Sequence, residues 1–310
     1  MRIALVAGGQ TAEATGTLGS AAQLADTARS AGHAVEIVAL PDDRTRRPEA
    51  LAAVGRCDIA IPLVAGLEGT FELLGIPYVG SPPDAAALAA HKGHFNAMVS
   101  ALGLNKVPYE VYDLDRDEVP VEVPFEGPWY VKPARLGASF GITRVDDGGA
   151  VADAVRDAAR HDSIVLIEQE VPRPFVEVEV AAVVGETVLL SPPMEIVAPG
   201  AVWRDSTWKY SIDERPTAFD DAAVASTCTD VVRLLIARIG LAGAMRFDLF
   251  VSASETVYVG EVNALPGHGV ASMFPRIFEH AGVDRVEQLT AMLDAGLVLS
   301  ARSGSLRVRA

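Results

Sequence analysis

Short apolar runs alternate with a helix-like stretch over the first eighty residues. The first run ends at Gly8 and Gly9, and Glu13 follows it closely. The later segments are residues 19–32, with a helical pattern, and residues 34–40, 58–64 and 76–79, with strand patterns. Such alternation predicts a parallel α/β subdomain, in which ligands bind at the carboxyl ends of the strands. Gly8, Gly9 and Glu13 are therefore expected at the ligand-binding edge.

A proline pair, Pro82 and Pro83, marks the predicted end of this subdomain. Beyond it, residues 84–104 have a helical pattern around Lys92, and a clear helix is predicted over residues 150–160. The predicted strands of this part are residues 109–112, 129–132, 142–145 and 164–168. The pattern indicates a middle subdomain of α+β type.

Near the carboxyl end, two alternating apolar runs predict a β-hairpin. They cover residues 245–251 and 257–263 and flank a short polar segment around Ser254. Folding the hairpin at Ser254 places Asp248 roughly opposite Glu261, because side chains alternate between the two faces of a strand. Two carboxylates are thus predicted to face each other.

Arg246 and Asn263 share the predicted face with this acidic pair. Like charges directly opposite each other destabilise a strand pair, so the pattern indicates a compensating cation. Carboxylate and amide oxygens suit Mg²⁺, which is usually held by one or two carboxylates plus substrate phosphates. The alternative is a solvated outer face whose charges serve solubility. We favour the metal site, because an arginine shares the face and a Pro-Gly turn follows near His268.

The composition is that of a globular protein with few lysines. The chain has 310 residues, of which 50% are hydrophobic and 22% charged, and this length predicts two or three subdomains. The net charge of −15 argues against a nucleic-acid or anionic-membrane surface. Four of the 26 lysine and arginine residues are lysines. Compact ammonium groups are typical phosphate ligands, so these lysines are candidates for a phosphate site. Codon bias explains the low number of lysines equally well. These lysines are Lys92, Lys106, Lys132 and Lys209.

A loop of small residues follows one of these lysines. Lys132 ends a predicted strand, and the next residues, which include Gly137, Ser139 and Gly141, precede another strand. Flexible glycine loops between strands let backbone N–H groups close over phosphate oxygens. Such a turn is weak support alone, but with Lys132 beside it the segment indicates a phosphate-binding loop.

The sequence predicts neither export nor membrane insertion. The first apolar run is too short for a signal peptide, and none reaches the length of a membrane span. The cysteines, Cys57 and Cys228, belong to no metal or redox motif. We therefore expect a reducing cytoplasm. The last predicted helix covers residues 284–293, and the tail over residues 297–310 is expected to fray.

Across nearly its whole length the chain resembles the D-alanine:D-alanine ligase family of ATP-grasp enzymes, and the match is specific because several motifs occur together. These motifs are Gly8-Gly9 with Glu13, residues 75–81, Lys92, residues 131–135 with Gly137, Ser139 and Gly141, Lys209-Tyr210, Arg246-Phe247-Asp248, and residues 261–263 through Pro266-Gly267 to Ser272. The resemblance implies an α/β and α+β, ATP-grasp fold. Its implied subdomains are an N-terminal parallel α/β part (1–83), a central part with the glycine loop (84–176) and a C-terminal part with the metal site (177–310), the last two enclosing ATP.

The resemblance also implies which residues contact ATP. Glu168 would recognise the adenine, and Glu177 would bind the ribose, although an insertion near Arg173 weakens the second match. The residues expected around the phosphates are Lys92, Lys132, Lys209, Gly137 and Ser139.

The remaining implied roles concern the metal and the reacting groups. Mg²⁺, as two ions and replaceable by Mn²⁺, would be held by Asp248, Glu261 and Asn263. Arg246 and the backbone N–H of Gly267 would stabilise a tetrahedral oxyanion. The residues expected on the amino acids are Glu13 at the amine of the first, Ser272 at the carboxylate of the acceptor, and Tyr210.

Two departures from the family alter the amino-acid half of the site. The family's His-Gly segment and acidic loop are replaced by the shorter residues 64–70, so the family histidine that contacts substrate is missing. Ala138 replaces a family serine, which reduces the usual substrate triad to Glu13 and Tyr210. His268 is a candidate replacement, although a lone loop histidine is more often solvated.

The implied activity is ATP-dependent ligation of a carboxylate to an amine through an acyl phosphate, giving ADP and phosphate, in peptidoglycan biosynthesis. One alternative is a ligase of specialised metabolism that uses another amino acid or closes a ring within one substrate, as the cycloserine-forming cyclo-ligase does. A third hypothesis is an ATP-binding protein without ligase activity. The expected partners are small amino acids, with no nucleic acid and no membrane, and a homodimer is left open.

Overall fold

The amino-terminal part of the chain forms a parallel sheet covered by helices. The computed structural model describes residues 1–9, 14–120, 122–137, 139–197 and 215–305. The first elements are β1 (Arg2–Gly8), α1 (Ala14–Ser30), β2 (Ala34–Leu40), α2 (Arg47–Val54), β3 (Ile59–Pro62) and α3 (Glu68–Leu74). The strands pair in the order β2-β1-β3, and both pairings are parallel. The predicted parallel α/β subdomain is confirmed.

Two predicted elements in this part are wrong in detail. Residues 76–79 do not form a strand, because Tyr78 makes only an isolated bridge to Ala60 and the preceding Pro77 lacks the N–H that a ladder needs. Helix α1 begins at Ala14 rather than at residue 19. Gly16 and Gly19 in its first turns obscure the helical pattern in the sequence.

The middle part forms an antiparallel sheet with one helix against it. Its elements are α4 (Pro83–Ala90), α5 (Lys92–Ala101), β4 (Tyr109–Asp113), β5 (Trp129–Pro133), β6 (Thr143–Val145), α6 (Val151–Ala159) and β7 (Ile164–Gln169). The strand order is β4-β7-β5-β6. Val151, Val155 and Ala158 recur at helical spacing on α6 and pack into a core with Val131 and Ile167 of the sheet. The predicted α+β arrangement is confirmed.

The third sheet contains the predicted hairpin. Its elements are β8 (Phe175–Val184), β9 (Val188–Leu190), β10 (Met194–Val197), β11 (Arg215–Ala218), α7 (Ala222–Ile239), β12 (Gly243–Ser252) and β13 (Val257–Asn263). The order is β11-β10-β8-β12-β13, and β9 pairs with β8. Alternate residues of β12, namely Met245, Phe247 and Leu249, are buried in a core that α7 covers. The other face of β12 carries Arg246 and Asp248, between the apolar residues Ala244 and Phe250.

Two carboxyl-terminal helices bury their apolar sides between the first and third sheets. They are α8 (Met273–His280) and α9 (Arg285–Ser305). One core joins Leu5 of β1, Met194 of β10, Phe274 of α8 and Leu289 of α9. The predicted fraying from residue 297 is therefore wrong as far as Ser305, because the helix continues and Leu299 is buried against the first sheet.

The three sheets occur one after another along the chain, and we retain the subdomain limits 1–83, 84–176 and 177–310 as a proposal. Within the described ranges, no helix combines the length and apolarity that a membrane span requires.

Gly296 of α9 provides a test of this packing. A Cβ at Gly296 would lie 2.6 Å from the carbonyl oxygen of Tyr78 and 2.9 Å from Ile59, whereas nothing lies within 4 Å of a Cβ at Gly19 of α1. We expect Gly296→Ala to lower the free energy of unfolding by about 1–3 kcal/mol through overpacking. Gly19→Ala, the matched control, should raise it by about 1 kcal/mol through helix propensity. Urea unfolding measures both, and equal effects would contradict the packing.

Candidate active site

Lys92 connects the glycine loop to the hairpin of the third sheet. It is the first residue of α5, and its backbone N–H donates to the carbonyl of Ala134 at 2.9 Å. Its ammonium donates to the carbonyl of Leu136 and lies 3.6 Å from a carboxylate oxygen of Glu261. The structure thus brings a predicted phosphate ligand between the predicted phosphate loop and the predicted metal site.

The glycine loop has a tight and specific backbone shape. Ser139 has φ of 58°, which is uncommon for a residue with a side chain, and it is buried. Gly141 has φ of 70°, and a Cβ there would lie 2.9 Å from both Pro133 and His161. Strained backbone of this kind occurs at ligand-binding loops. Gly137 lies two residues before Ser139, and Ala138 between them is outside the described residues.

Glu168, the predicted adenine ligand, is a buried carboxylate surrounded by donors. It lies near the end of β7 and accepts hydrogen bonds from Asn96 Nδ2 at 2.7 Å and from Lys106 Nζ at 2.8 Å. The ammonium of Lys132 is its third partner. Burial alone would raise the pKa of Glu168, but Lys106 and Lys132 outweigh it and lower the pKa to about 2. Glu168 is therefore an ionised acceptor at neutral pH.

A second buried carboxylate, Glu170, lies just beyond β7. Arg144 donates to both of its oxygens, at 2.9 and 3.1 Å, and Arg173 and Tyr130 donate at 2.7 and 3.1 Å. Burial opposes ionisation, but these bonds lower the pKa of Glu170 to about 2. Glu170 thus fixes the strand end that carries Glu168.

The hairpin has the predicted register at its polar face. Asp248 pairs directly with Glu261, and Arg246 pairs with Asn263. The pairing shifts by one residue between Asp248 and Leu249, which makes Gly260 the extra residue of a β-bulge. A Cβ at Gly260 would lie 2.6 Å from the carbonyl oxygen of Asp248, so no side chain fits there. The predicted facing carboxylates are confirmed.

Strand β8 adds a third carboxylate that the sequence analysis did not include. Glu179 pairs with Asp248 in register and is fully buried. Arg246 contacts both acids: its Nε lies 3.0 Å from Glu179 and 2.8 Å from Asp248, and its Nη2 donates to Asp248 at 2.9 Å. Carboxylate oxygens of Glu177, Glu179 and Asp248 lie within 4.8 Å of one another. Arg246 is thus held in place by two carboxylates.

The donor set of this face fits a hard divalent cation. Asp248, Glu261 and Asn263 offer only oxygen ligands, and two of them are adjacent carboxylates on paired strands. The side chain of Asn263 accepts a hydrogen bond from the backbone N–H of Leu265 at 3.2 Å, which turns its oxygen toward the turn that follows. The chemistry of the residues is therefore compatible with Mg²⁺.

The turn after β13 brings Gly267 and Ser272 together. A Cβ at Gly267 would lie 2.7 Å from the Ser272 hydroxyl, and this hydroxyl accepts a hydrogen bond from the N–H of Gly269 at 2.9 Å. Ser20 of α1 accepts from the N–H of His268 at 3.0 Å. The predicted oxyanion donor and the predicted acceptor-carboxylate ligand are therefore neighbours, next to the first subdomain.

His268 in this turn is not solvated, so that expectation is wrong. The residue is 4% exposed, and its ring packs edge-on against Phe274, with centroids 5.2 Å apart. Burial, with a smaller contribution from the charge of Arg285, lowers the pKa of His268 to about 3. The bonds that Ser20 and Arg285 make to its backbone hold the turn against α1 and α9. The imidazole is thus neutral near pH 7.

Three predicted site residues, Glu13, Lys209 and Tyr210, lie outside the described residues. Their roles stay predictions.

Sequence reasoning missed Glu179, Asn96 and the role of Lys106. Glu179 had a detectable signal, because it follows Glu177 by two positions in the alternating strand β8 and so shares its face. Lys106 had only its rarity among the basic residues. Asn96 contacts a residue 72 positions away, and no local pattern marks it.

Comparison with known proteins agrees with this geometry. A family model described as D-ala D-ala ligase C-terminus matches residues 98–294. The D-alanine--D-alanine ligase of Anaeromyxobacter sp. (strain Fw109-5) is 31% identical over 305 residues, which cover 94% of this chain and 96% of that protein. The chain belongs to the D-alanine--D-alanine ligase family. The Streptomyces coelicolor member is 32% identical over 266 residues, covering 79% of this chain and 68% of the relative.

Solved structures of the D-alanine--D-alanine ligase family have the same fold. The structure of the Bacillus anthracis enzyme complexed with ATP superposes with a TM-score of 0.81 at 19% identity, covering 98% of this chain and 100% of that one. The predicted ATP-grasp architecture, with its parallel and antiparallel sheets, is thus confirmed. The roles of single residues stay predictions.

The Glu170 cluster makes a prediction about acid stability. A carboxyl group with a lowered folded pKa contributes stability above its unfolded pKa, near 4.3, and loses it as the pH falls toward 2. We expect Glu170→Gln to reduce the free energy of unfolding at pH 7 by about 1–3 kcal/mol and to weaken its acid dependence between pH 4.5 and 2. Asp153→Asn, which breaks an exposed ion pair with Arg156, is the control and should change little. Urea unfolding of both variants and the wild type across this pH range measures the free energies, and equal effects of the two substitutions would contradict the prediction.

Proposed function

We propose that this chain is an ATP-dependent D-alanine--D-alanine ligase. The observation that carries the proposal is the polar face of the hairpin, where Asp248 and Glu261 face each other beside Arg246 and the Gly267–Ser272 turn. A carboxylate attacks the γ-phosphorus of ATP, ADP leaves and an acyl phosphate forms. The amine of the second amino acid then attacks the acyl carbon, phosphate leaves and the amine releases a proton. The protein's task is positioning and charge stabilisation.

The nucleotide would lie between the glycine loop and the hairpin. Lys92 is already between these two elements, and Lys132 projects from β5 toward Glu168. Both ammonium groups would turn from these partners to phosphate oxygens, with Gly137 and Ser139 closing over them. Glu168, as an ionised acceptor, suits the exocyclic amino group of adenine. Lys209 and the ribose ligand Glu177 complete the proposed set.

Mg²⁺ would be held by Asp248, Glu261 and Asn263, and two ions are proposed, with Mn²⁺ as a substitute. When bound, the metal neutralises phosphate charge as the acyl phosphate forms. In the structure Asp248 is paired with Arg246, and Glu261 is paired with Lys92. To bind the metal, each carboxylate would therefore have to be shared between the ion and its present partner.

Arg246 and the N–H of Gly267 are proposed to stabilise the oxyanion that develops at the acyl carbon. Preorganised donors contribute about 3 kcal/mol each at such a position. Glu179 and Asp248 both contact the Nε of Arg246, and Asp248 also accepts from its Nη2, so the guanidinium is held in place before the reaction. We propose Glu179 as a positioning residue for Arg246.

The amino acids would bind between the Gly267–Ser272 turn and the first subdomain, with Ser272 at the acceptor carboxylate and Glu13 and Tyr210 on the first amino acid. The names of the relatives favour D-alanine as both substrates over the cyclo-ligase and the non-catalytic alternatives. A cytoplasmic location and a homodimer stay predictions.

The decisive experiment is phosphate release from ATP and Mg²⁺ with D- and L-amino acids, singly and in pairs, with mass spectrometry of the products. We expect turnover with D-alanine and a D-alanyl-D-alanine product. Turnover with a single other substrate and a cyclised product would show the cyclo-ligase activity instead. ATP binding without phosphate release on the whole panel would show a non-catalytic protein.

A variant of the hairpin tests the metal assignment. Glu261→Gln keeps the shape of the side chain but removes one of the facing charges, so we expect turnover to fall by about 100-fold or more while the fold is retained. Binding of Mn²⁺, followed by electron paramagnetic resonance, should weaken in parallel. Glu255→Gln makes the same change in the exposed turn of the same hairpin and is the control. Wild-type turnover in Glu261→Gln would contradict the assignment.

A further inference from the structure

The ammonium of Lys106 is buried and fully used. Lys106 lies in the connection between α5 and β4, and its side chain is 5% exposed. Its Nζ lies 2.8 Å from Glu168 and donates to the carbonyl oxygens of Val259 and Gly260, at 3.0 Å each. An ammonium has three donors, and here each has one acceptor. Burying an ammonium group is costly, and this complete set of partners offsets that cost.

Two of these acceptors belong to the β-bulge of β13. Gly260 is the extra residue and β13 is an edge strand, and the carbonyls of Val259 and Gly260, just before Glu261, accept from Lys106 instead of from another strand. Lys106 therefore connects β13, which carries the proposed metal ligand Glu261, with Glu168, the proposed adenine ligand at the other end of the nucleotide site. One side chain thus links the two ends.

The third acceptor, Glu168, shows why a second cation is needed there. Glu168 is paired with both Lys132 and Lys106. When Lys132 turns to a phosphate, Glu168 would remain buried with one cation fewer. Removing one partner of a buried charge is strongly destabilising unless another compensates it. Lys106 is already committed to backbone carbonyls that cannot move away, so it provides that compensation.

We propose that Lys106 is a positioning residue that keeps Glu168 charge-compensated and in place for the nucleotide base. The inference rests on the proposed function, since it assumes a nucleotide beside Glu168. A carboxylate accepts hydrogen bonds but donates none. It therefore pairs with the exocyclic amino group of adenine and repels the keto oxygen at the same position of hypoxanthine. Lys106 thus sets the preference for ATP over ITP.

The test measures the dissociation constants of ATP and ITP for the full chain with Mg²⁺ and no amino acid, by isothermal titration calorimetry. For the wild type we expect ATP to bind at least about tenfold more tightly than ITP, because a mismatched buried polar group is costly. Lys106→Met keeps the length of the side chain but removes its charge. We expect it to weaken ATP binding by about tenfold or more and to bring the ATP-to-ITP ratio close to one.

Asn105 provides the matched control. It is the neighbouring residue, and its side chain also fastens β13, through a 3.2 Å hydrogen bond to the carbonyl of Val257, but it is not a partner of Glu168 in the structure. Asn105→Ala should loosen the strand and leave the ATP-to-ITP ratio as in the wild type. If both variants change the ratio equally, or neither does, Lys106 is a structural contact only and the proposal is overturned.

A second variant keeps the proposal testable if Lys106→Met does not fold. Lys106→Met with Glu168→Gln removes both buried charges, so the double variant should fold even if the single one does not, and it should not discriminate between ATP and ITP. A double variant that still prefers ATP as the wild type does would overturn the proposal. The outcome is independent of ligase activity: a wild type that prefers ATP but forms no dipeptide would refute the proposed function and leave the role of Lys106 standing.

Discussion

Three carboxylates lie side by side across the third sheet, and the site depends on neutralising them. The registers of β8, β12 and β13 place Glu179, Asp248 and Glu261 in one row, in which each acid directly faces the next. Such a row would destabilise the sheet without positive partners. Arg246 lies against two of the acids and Lys92 beside the third. The fold therefore concentrates carboxylates where a cation and a triphosphate would bind. The residues that neutralise these carboxylates, Arg246 and Lys92, are also those that the proposed chemistry uses.

Three lysines join parts of the chain that are distant in the sequence. Lys92 connects the glycine loop with the hairpin, Lys132 connects β5 with β7, and Lys106 connects β7 with the bulge of β13. The middle sheet has its own apolar core, whereas the first and third sheets share one through α8 and α9. Near the site, the contacts between the middle part and the hairpin thus include ion pairs and hydrogen bonds of lysines. Nucleotide phosphates can exchange such polar partners more easily than they could separate buried apolar side chains.

Elements with a strong local period were predictable from the sequence. The hairpin and helix α6 follow patterns of two and 3.6 residues, and the polar positions of the hairpin were assigned to the correct face. The strand that carries Glu168 is a short apolar run, which also marks a strand. Features set by distant contacts were not. The burial of His268 depends on Ser20 and Phe274, and the length of α9 depends on a core formed with the first sheet. The partners of Glu168 come from three separate segments, so no single stretch of sequence contains them.

At the Gly260 bulge, the inward-pointing residues of β13 change from odd-numbered to even-numbered positions. Before it, Val257 and Val259 point into the core opposite Val251 and Leu249; after it, Val262 does so opposite Phe247. If Gly260 took a regular ladder position opposite Asp248 instead of forming the bulge, strict alternation would pair Glu261 with Phe247 and direct the carboxylate into the apolar core. The bulge therefore keeps Glu261 on the acidic face although β13 has one residue more than its partner. A strand without Gly260 would keep the same inner and outer faces, because Glu261 would then follow Val259 in strict alternation and still face Asp248. What it would lose is the backbone carbonyl that accepts a hydrogen bond from Lys106.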